Sequence, residues 1–270
     1  MTGALQALMS RPWIWSLLGA ALVWLAAIAF TGGYGAGGML TAAMSLAVFT
    51  VIAGIGQMFV ITLGPGNVDL SLPANIGLAS AVAMKMMGGN DSLVAVGLTA
   101  ALACGLAVGV ANYLLIWALR IPPIIATLSA SFIIQSVDIS YGRGLQIKPP
   151  PGFSDFTNIQ LLGAPLLAIL TALFAIGANV ALHRTIWGRS VLAIGQNIRA
   201  ARLAGVKVEP VRFATYALCG TLGGLDGALF LVPLLTMLNT FGVSAGVRLL
   251  LTGLIIVAVI TAAGGEKRAP

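Results

Sequence analysis

Charge is what this sequence has least of. Of its 270 residues only 8% are charged, against roughly 25% in a typical soluble domain. Histidine occurs once, as His183, and cysteine twice, as Cys104 and Cys219, with no CxxC spacing. A metal or redox centre needs a cluster of such ligands, so neither a metal nor any other cofactor is expected. Both thiols read as buried free cysteines. No Walker A sequence and no HExxH occur, which excludes P-loop ATP hydrolysis and zincin chemistry on this chain. His183 falls where a span meets water and has no partner for general-base work. A soluble enzyme, a disordered chain and a secreted disulfide scaffold are excluded together.

What is abundant is apolar. Hydrophobic residues make up 59% of the chain and the mean hydropathy is +1.03. That is enough for about eight stretches of the ~20 residues that cross a hydrocarbon core. The fold class expected is all-α, a polytopic transmembrane helix bundle forming a single domain over residues 1–270. Breaks in hydropathy place candidate spans at Trp13–Phe30, Leu40–Leu63, Ala74–Gly88, Leu93–Trp117, Ile124–Val137, Leu161–Leu182, Phe213–Leu235 and Ala245–Ala263. Those starting at Ala74 and Ile124 are short, as tilted, broken or re-entrant segments are. The first runs on to spanning length with no small-residue cleavage motif after it, so it reads as a span and not a cleaved signal.

The formal charge of +7 would suggest a polyanion partner in a soluble chain. Here it fits the retention of basic loops in the cytoplasm, and no nucleic acid is expected. The loop from His183 to Arg212 carries Arg184, Arg189, Arg199, Arg202, Lys207 and Arg212 against Glu209 alone, which places it inside. Arg11, Lys267 and Arg268 put both termini inside too, and Arg120 falls in a short inner loop. The loop from Asp138 to Gln160 balances Arg143 and Lys148 with Asp138 and Asp155, as an outer loop does. Its run Lys148-Pro149-Pro150-Pro151-Gly152 is expected to be non-helical.

Two features stand out within the spans. The stretch Leu63-Gly64-Pro65-Gly66-Asn67-Val68-Asp69-Leu70-Ser71-Leu72-Pro73 breaks an apolar region near residues 64–73. Irregular backbone at membrane depth survives only inside protein or beside water, and a carboxylate there points to function. Asn67, Asp69, Ser71 and Asn75 are therefore candidate pathway residues. A plain turn in which Asp69 and Ser71 cap the next helix is the alternative. Thr127, Ser129, Ser131 and Gln135 give the short span from Ile124 a polar face. Thr127 and Ser129 join the candidates, with hydrogen bonding between helices as the equal alternative. The pairs Gly105/Gly109, Gly220/Gly224 and Gly223/Gly227 read as close helix-packing faces. Gly33-Tyr34-Gly35-Ala36-Gly37-Gly38 matches GxGxxG but follows a span, so it reads as a glycine-rich outer loop and not a dinucleotide site. In the basic loop, Asn197 caps a short helix through Ala200, Ala201, Arg202 and Leu203, and Gly205 ends it. Such a helix on the inner surface offers itself to a soluble partner or to lipid headgroups.

At these residues the sequence resembles the membrane permeases of ribose-type bacterial ABC importers, a group that includes autoinducer systems. Val68-Asp69-Leu70-Ser71 resembles the family's "(I/V)DLS" block. Arg120-Ile121-Pro122-Pro123-Ile124-Ile125-Ala126-Thr127-Leu128 resembles its "PPFIATL" block. The run from Gly188-Arg189 through Ala193-Ile194-Gly195-Gln196-Asn197 and Ala200-Ala201-Arg202-Leu203-Ala204-Gly205 to Tyr216 is similar to its longest block. The resemblance implies a multi-pass permease subunit of the bacterial inner membrane with no catalysis of its own, moving a sugar or similar small polar solute. It implies partners: cytoplasmic ATPase subunits, a second permease copy or paralogue, a periplasmic solute-binding protein and membrane lipid. The helix Asn197–Gly205 becomes the expected ATPase-coupling element. The rival expectation is an ion-coupled secondary transporter, for which Asp69 and Lys85 are the intramembrane ionisable candidates of the first half. Two departures stand out. Gly64-Pro65-Gly66-Asn67 replaces residues that are more often Ser/Gly-rich. A further stretch with an "ELDAIAAVVLGGTSL" motif is missing near residues 222–233, so eight spans are read where the family has about ten.

Overall fold

The computed structural model describes residues 12–33, 36–143 and 148–241. The chain divides into two units, Met1–Leu231 and Val232–Pro270. Of the second, only helical backbone up to Phe241 is described. The expected span Ala245–Ala263, together with Arg11, Lys267 and Arg268, lies outside the described residues, as do Tyr34 and Gly35 of the glycine-rich run.

The described chain is helical almost throughout, as hydrocarbon requires of any segment that cannot borrow hydrogen bonds from water. Helix α1 is Pro12–Thr31 and α2 is Ala36–Thr62. Helix α3 is Leu72–Met87, α4 is Val94–Leu119 and α5 is Pro123–Gly142. A short helix α6, Pro151–Asn158, leads to an antiparallel pair, β1 Gln160–Leu161 and β2 Ala164–Pro165. Helices α7, Leu166–Arg184, α8, Ile186–Gln196, α9, Ile198–Leu203, and α10, Val208–Phe241, complete it. By length and apolarity, Ala36–Thr62, Asp91–Leu119, Pro123–Gly142 and Leu166–Arg184 each suffice to cross a membrane.

Several boundaries differ from the sequence reading for local reasons. Ala36, Gly37 and Gly38 already belong to α2 and not to a loop. Helix α5 runs on to Gly142, past the apolar stretch that ended the expected span at Val137, since polar residues end a run of hydropathy without ending a helix. Helix α7 begins at Leu166, since Gln160–Pro165 turns as a hairpin on Leu162 and Gly163, both at positive φ (54° and 81°), the geometry of a two-residue turn. The proline run is extended only as far as Pro150. Pro151 and Gly152 are helical, because a proline in the first turn forfeits an amide that no helix bond uses.

Helix α3 is the middle of the first unit, packed on α4 and α5 and on α10 through Gly223 and Gly227. At 1.5 Å per residue its 16 residues span about 24 Å, short of a ~30 Å core, which brings the irregular chain before it to membrane depth. The expected glycine faces meet one another. A methyl on Gly105 would strike Gly220 O and approach Gly224 Cα to 2.7 Å, and one on Gly109 would strike Tyr216 O. The backbones of α4 and α10 thus touch through paired small residues, the packing that replaces the hydrophobic effect in lipid. Outward, Leu17, Leu22, Val23, Phe132, Ile133 and Leu173 remain exposed as an apolar coat.

This contact sets a test against an internal control. Gly105→Leu should overpack the α4–α10 contact and cost about 1–3 kcal/mol. Gly54, whose Cβ position meets nothing within 4 Å, should accept alanine neutrally or with a gain below about 1 kcal/mol. Thermal denaturation of detergent-extracted protein checks both; equal midpoints would remove the glycine contact from the account.

Candidate functional site

Between α2 and α3 the chain leaves the helix from Leu63 to Ser71, and its polar groups are met by side chains. Gln57, inside apolar α2, donates from Nε2 to Asp69 O at 3.0 Å and accepts from Asp69 N at Oε1 at 3.1 Å. One side-chain amide thereby does the work of a neighbouring strand. Thr127 Oγ1 on α5 accepts from Leu70 N at 3.0 Å and lies 3.1 Å from Val68 O. Tyr216 on α10 donates its hydroxyl proton to Asn67 Oδ1 at 3.3 Å. The Asp69 carboxylate accepts from Ser71 N at 2.9 Å and Ser71 Oγ at 2.7 Å. Asn112 Nδ2, on α4, donates to Ser71 Oγ at 2.7 Å and lies 3.2 and 3.3 Å from the two carboxylate oxygens. Four helices thus hold one irregular segment. Gly64 and Gly66 take φ of +108° and +81° to turn it.

The basic loop from His183 to Arg212 is fastened to the same segment. A Cβ on Gly195, in α8, would strike Thr62 O and come within 3.3 Å of Gly64 N; one on Gly64 would come within 3.1 Å of Gly195 O. Trp187 of the same helix stacks on Phe59 of α2 with centroids 4.9 Å apart. From α8 the chain passes through Asn197, whose Oδ1 accepts from Arg199 N and Ala200 N, both at 3.0 Å, to start α9. Gly205 at φ +83° ends the turn. Ala201 is buried against the chain itself, whereas Ala200 and Arg202 are exposed and Leu203 is 90% exposed. Glu209 ties this region to α4, taking the Tyr113 hydroxyl at 3.1 Å and lying 3.7 and 3.5 Å from Arg202 and Arg212.

The expected pathway residues therefore fall into two places. Asp69, Ser71, Asn75 and Thr127 are at most 1% exposed, so no solute reaches them without parting helices. Asn75 Nδ2 donates to Gly220 O at 2.9 Å, fixing α3 to α10. Asn67 is half-buried and Ser129 is exposed. The helix-capping alternative fails in detail: Ser71 stands at the N-cap of α3 but makes no side-chain cap bond, because its hydroxyl serves Asp69. Ser129 does not share a face with Thr127 and Ser131, since two helical steps turn about 200° whereas four return to within about 40°. The serines exposed on a common face of α5 are Ser129, Ser136 and Ser140. Sequence reasoning missed Gln57 and Asn112. A lone amide in each apolar run was the available signal, because such a group persists in lipid only with a partner.

This is the anatomy of a transport permease: a membrane helix bundle whose one elaborate polar site is a braced break in a helix, with a capped surface helix attached to it. Comparison with known proteins gives the particular family. Residues 18–264 match the model described as "Branched-chain amino acid transport system / permease component", and the chain belongs to that family. It is 29% identical over 225 residues to the ribose import permease protein RbsC of Escherichia coli K12, covering 80% of this chain and 68% of that one. It is 35% identical over 178 residues to RbsC of Bacillus subtilis, covering 64% and 54%. With the autoinducer 2 import system permease protein LsrD of Enterobacter sp. 638 it shares 32% identity over 192 residues, covering 66% and 54%. No solved structure matches. The chain is thus a multi-pass permease subunit of an ABC importer of the bacterial inner membrane, neither an enzyme nor an ion-coupled carrier.

If Asn112 braces the break, its variants should rank by chemistry. Asn112→Ala removes a donor to a charged group and should cost about 1.5–3 kcal/mol. Asn112→Asp sets a second carboxylate where an amide nitrogen now lies 3.2 Å from Asp69 Oδ1, and should unfold at a lower temperature still. A thermal midpoint for Asn112→Asp equal to the parent's would show that Asp69 is held in some other way.

Proposed function

We propose that this subunit admits a sugar or a similar small polar solute into the cell. Its partners on this reading are a second permease copy or paralogue, a periplasmic solute-binding protein and cytoplasmic ATPase subunits. The solute class rests on the relatives, whose names read ribose import and autoinducer 2 import. Both termini and the basic loop from His183 to Arg212 face the cytoplasm, by the charge bias that sets membrane topology.

The observation that carries the reading is the contact of Gly195 with Gly64. Helix α9 presents Ile198, Arg202 and Leu203 outward to an ATPase groove. Behind it α8 rests on the first residues of the break. A displacement of α8 caused by the ATPase is thereby passed to the segment that Asp69 and Asn112 hold. Asp69 is then a structural brace, and uptake depends on ATP and not on a proton or sodium gradient. Ser129, Ser136 and Ser140 form a polar stripe on the exposed side of a membrane-spanning helix. They are assigned to the pathway enclosed with the second permease, since a serine row facing lipid gains nothing. On this reading the stretch that the family resemblance leads one to expect, and that this sequence passes over, belongs near residues 222–233. There Asp226 is buried with Oδ1 making no hydrogen bond.

Ala201, one of the residues of the expected ATPase-coupling helix, faces inward, so the informative change is at Leu203. Leu203→Asp should leave membrane insertion intact and weaken ATPase retention by about 1–3 kcal/mol, with loss of solute-stimulated ATP hydrolysis in reconstituted vesicles. Unchanged retention and coupling would make α9 a lipid-lying helix. Orientation is checked separately. A cysteine at Gln196 should resist an impermeant thiol reagent in intact cells while one at Ser154 reacts; the reverse pattern inverts the topology.

A further inference from the structure

At the end of α4 lies a cleft of about 630 Å³ that the transport reading does not use. Ile116, Trp117, Arg120, Ile121, Glu209 and Arg212 line it. Arg120 stands just past the helix with φ 53° and ψ 32°, a left-handed conformation that costs any residue with a Cβ. Pro122 and Pro123 follow after Ile121 and fix the direction of the chain. Backbone strain of this kind persists where the surroundings impose it. Arg120 forms no ion pair among the described residues, although Glu209 lines the same cleft. That carboxylate is taken up by Arg202, Arg212 and the Tyr113 hydroxyl. Two arginines and one carboxylate line the cleft, so one positive charge remains there uncompensated, and Arg120 is the arginine without an ion pair among the described residues.

The surroundings of the cleft tell what kind of anion fits. Trp117 is 58% exposed and Leu119 60%, and Ile124 and Ile125 are exposed on the next helix. A tryptophan at a helix end beside open apolar surface marks the level of the lipid headgroups. The cleft therefore joins a cationic floor to a surface made for acyl chains. We propose that it binds the phosphate of an anionic phospholipid, with Arg120 as the principal contact, Arg212 beside it and Trp117 against the glycerol region. Basic pockets between membrane helices on the cytoplasmic side take such headgroups. The leaflet follows from the orientation proposed above; the binding itself does not depend on the solute or on ATP.

The test uses the full chain extracted with its partners and placed in bilayer discs of phosphatidylcholine with or without phosphatidylglycerol. Native mass spectrometry reads the retained lipid. The parent should keep phosphatidylglycerol in preference to phosphatidylcholine. Arg120→Lys should largely preserve this preference, and Arg120→Gln should lower it roughly fivefold, as one cation near a headgroup is worth. Arg120→Gly removes the guanidinium while supplying the residue that φ 53° favours, so its loss of lipid cannot be put down to misfolding. Arg143→Gln, at the other end of α5, should change nothing. Parent-like retention in both Arg120→Gln and Arg120→Gly would overturn the proposal. So would competition by inorganic phosphate alone, which would make the cleft a free-anion site. Loss of ATPase retention by these variants in lipid-free detergent, with lipid retention unchanged, would assign the cleft to the protein partner instead. An inverted topology in the cysteine experiment would move the lipid to the other leaflet and leave these results as they are.

Discussion

A backbone that leaves the helix inside a membrane must find a partner for every amide and carbonyl it frees, because hydrocarbon supplies none. In this chain that constraint is concentrated between Gly64 and Ser71, and the bundle is arranged around meeting it. Gln57 answers the peptide of Asp69, Thr127 answers Leu70, and Asp69 answers Ser71. Each donor or acceptor comes from a different place in the fold. Removing one leaves a buried polar group unpaired, which costs more than the net worth of the bond it made.

The blocks that are separate in sequence converge on this one place. Val68-Asp69-Leu70-Ser71 is the segment itself. Thr127, in the block after Pro122 and Pro123, holds it from α5. Gly195, in the basic-loop block, lies against Gly64, and Tyr216, at the end of that block, bonds Asn67. Their order along the chain says nothing of this; their meeting in space does. The consequence for transport is that the basic loop from His183 to Arg212 is not an appendage. It touches the break through two glycines, with no side chain between them to absorb a displacement.

Much of this was legible from residue types. The break, the glycine faces of α4 and α10, and the capped helix from Asn197 to Gly205 all follow from local chemistry that tertiary context leaves alone. What escaped was set by direction. The sequence groups Ala201 with the whole coupling helix, but a six-residue helix has one side against its own protein, and that side is Ala201's. The polar residues of α5 seemed to share a face until helical rotation separated buried Thr127 from exposed Ser129. Gln57 and Asn112 sit in long apolar runs, where only a partner 12 or 43 residues away explains them. The proline run hid a helix start, since Pro151 opens α6 without losing a bond.

The central claim, that side chains from four helices brace the break, can be read directly in amide exchange. In bilayer discs, hydrogen–deuterium exchange followed by mass spectrometry should find the peptide over residues 64–72 protected nearly as well as α3, although it contains no helical hydrogen bonds of its own. The turn over residues 88–90 should exchange fast in the same sample. Exchange of residues 64–72 at the rate of that turn would contradict the account, because amides bonded to Gln57, Thr127 and Asp69 cannot be open to water.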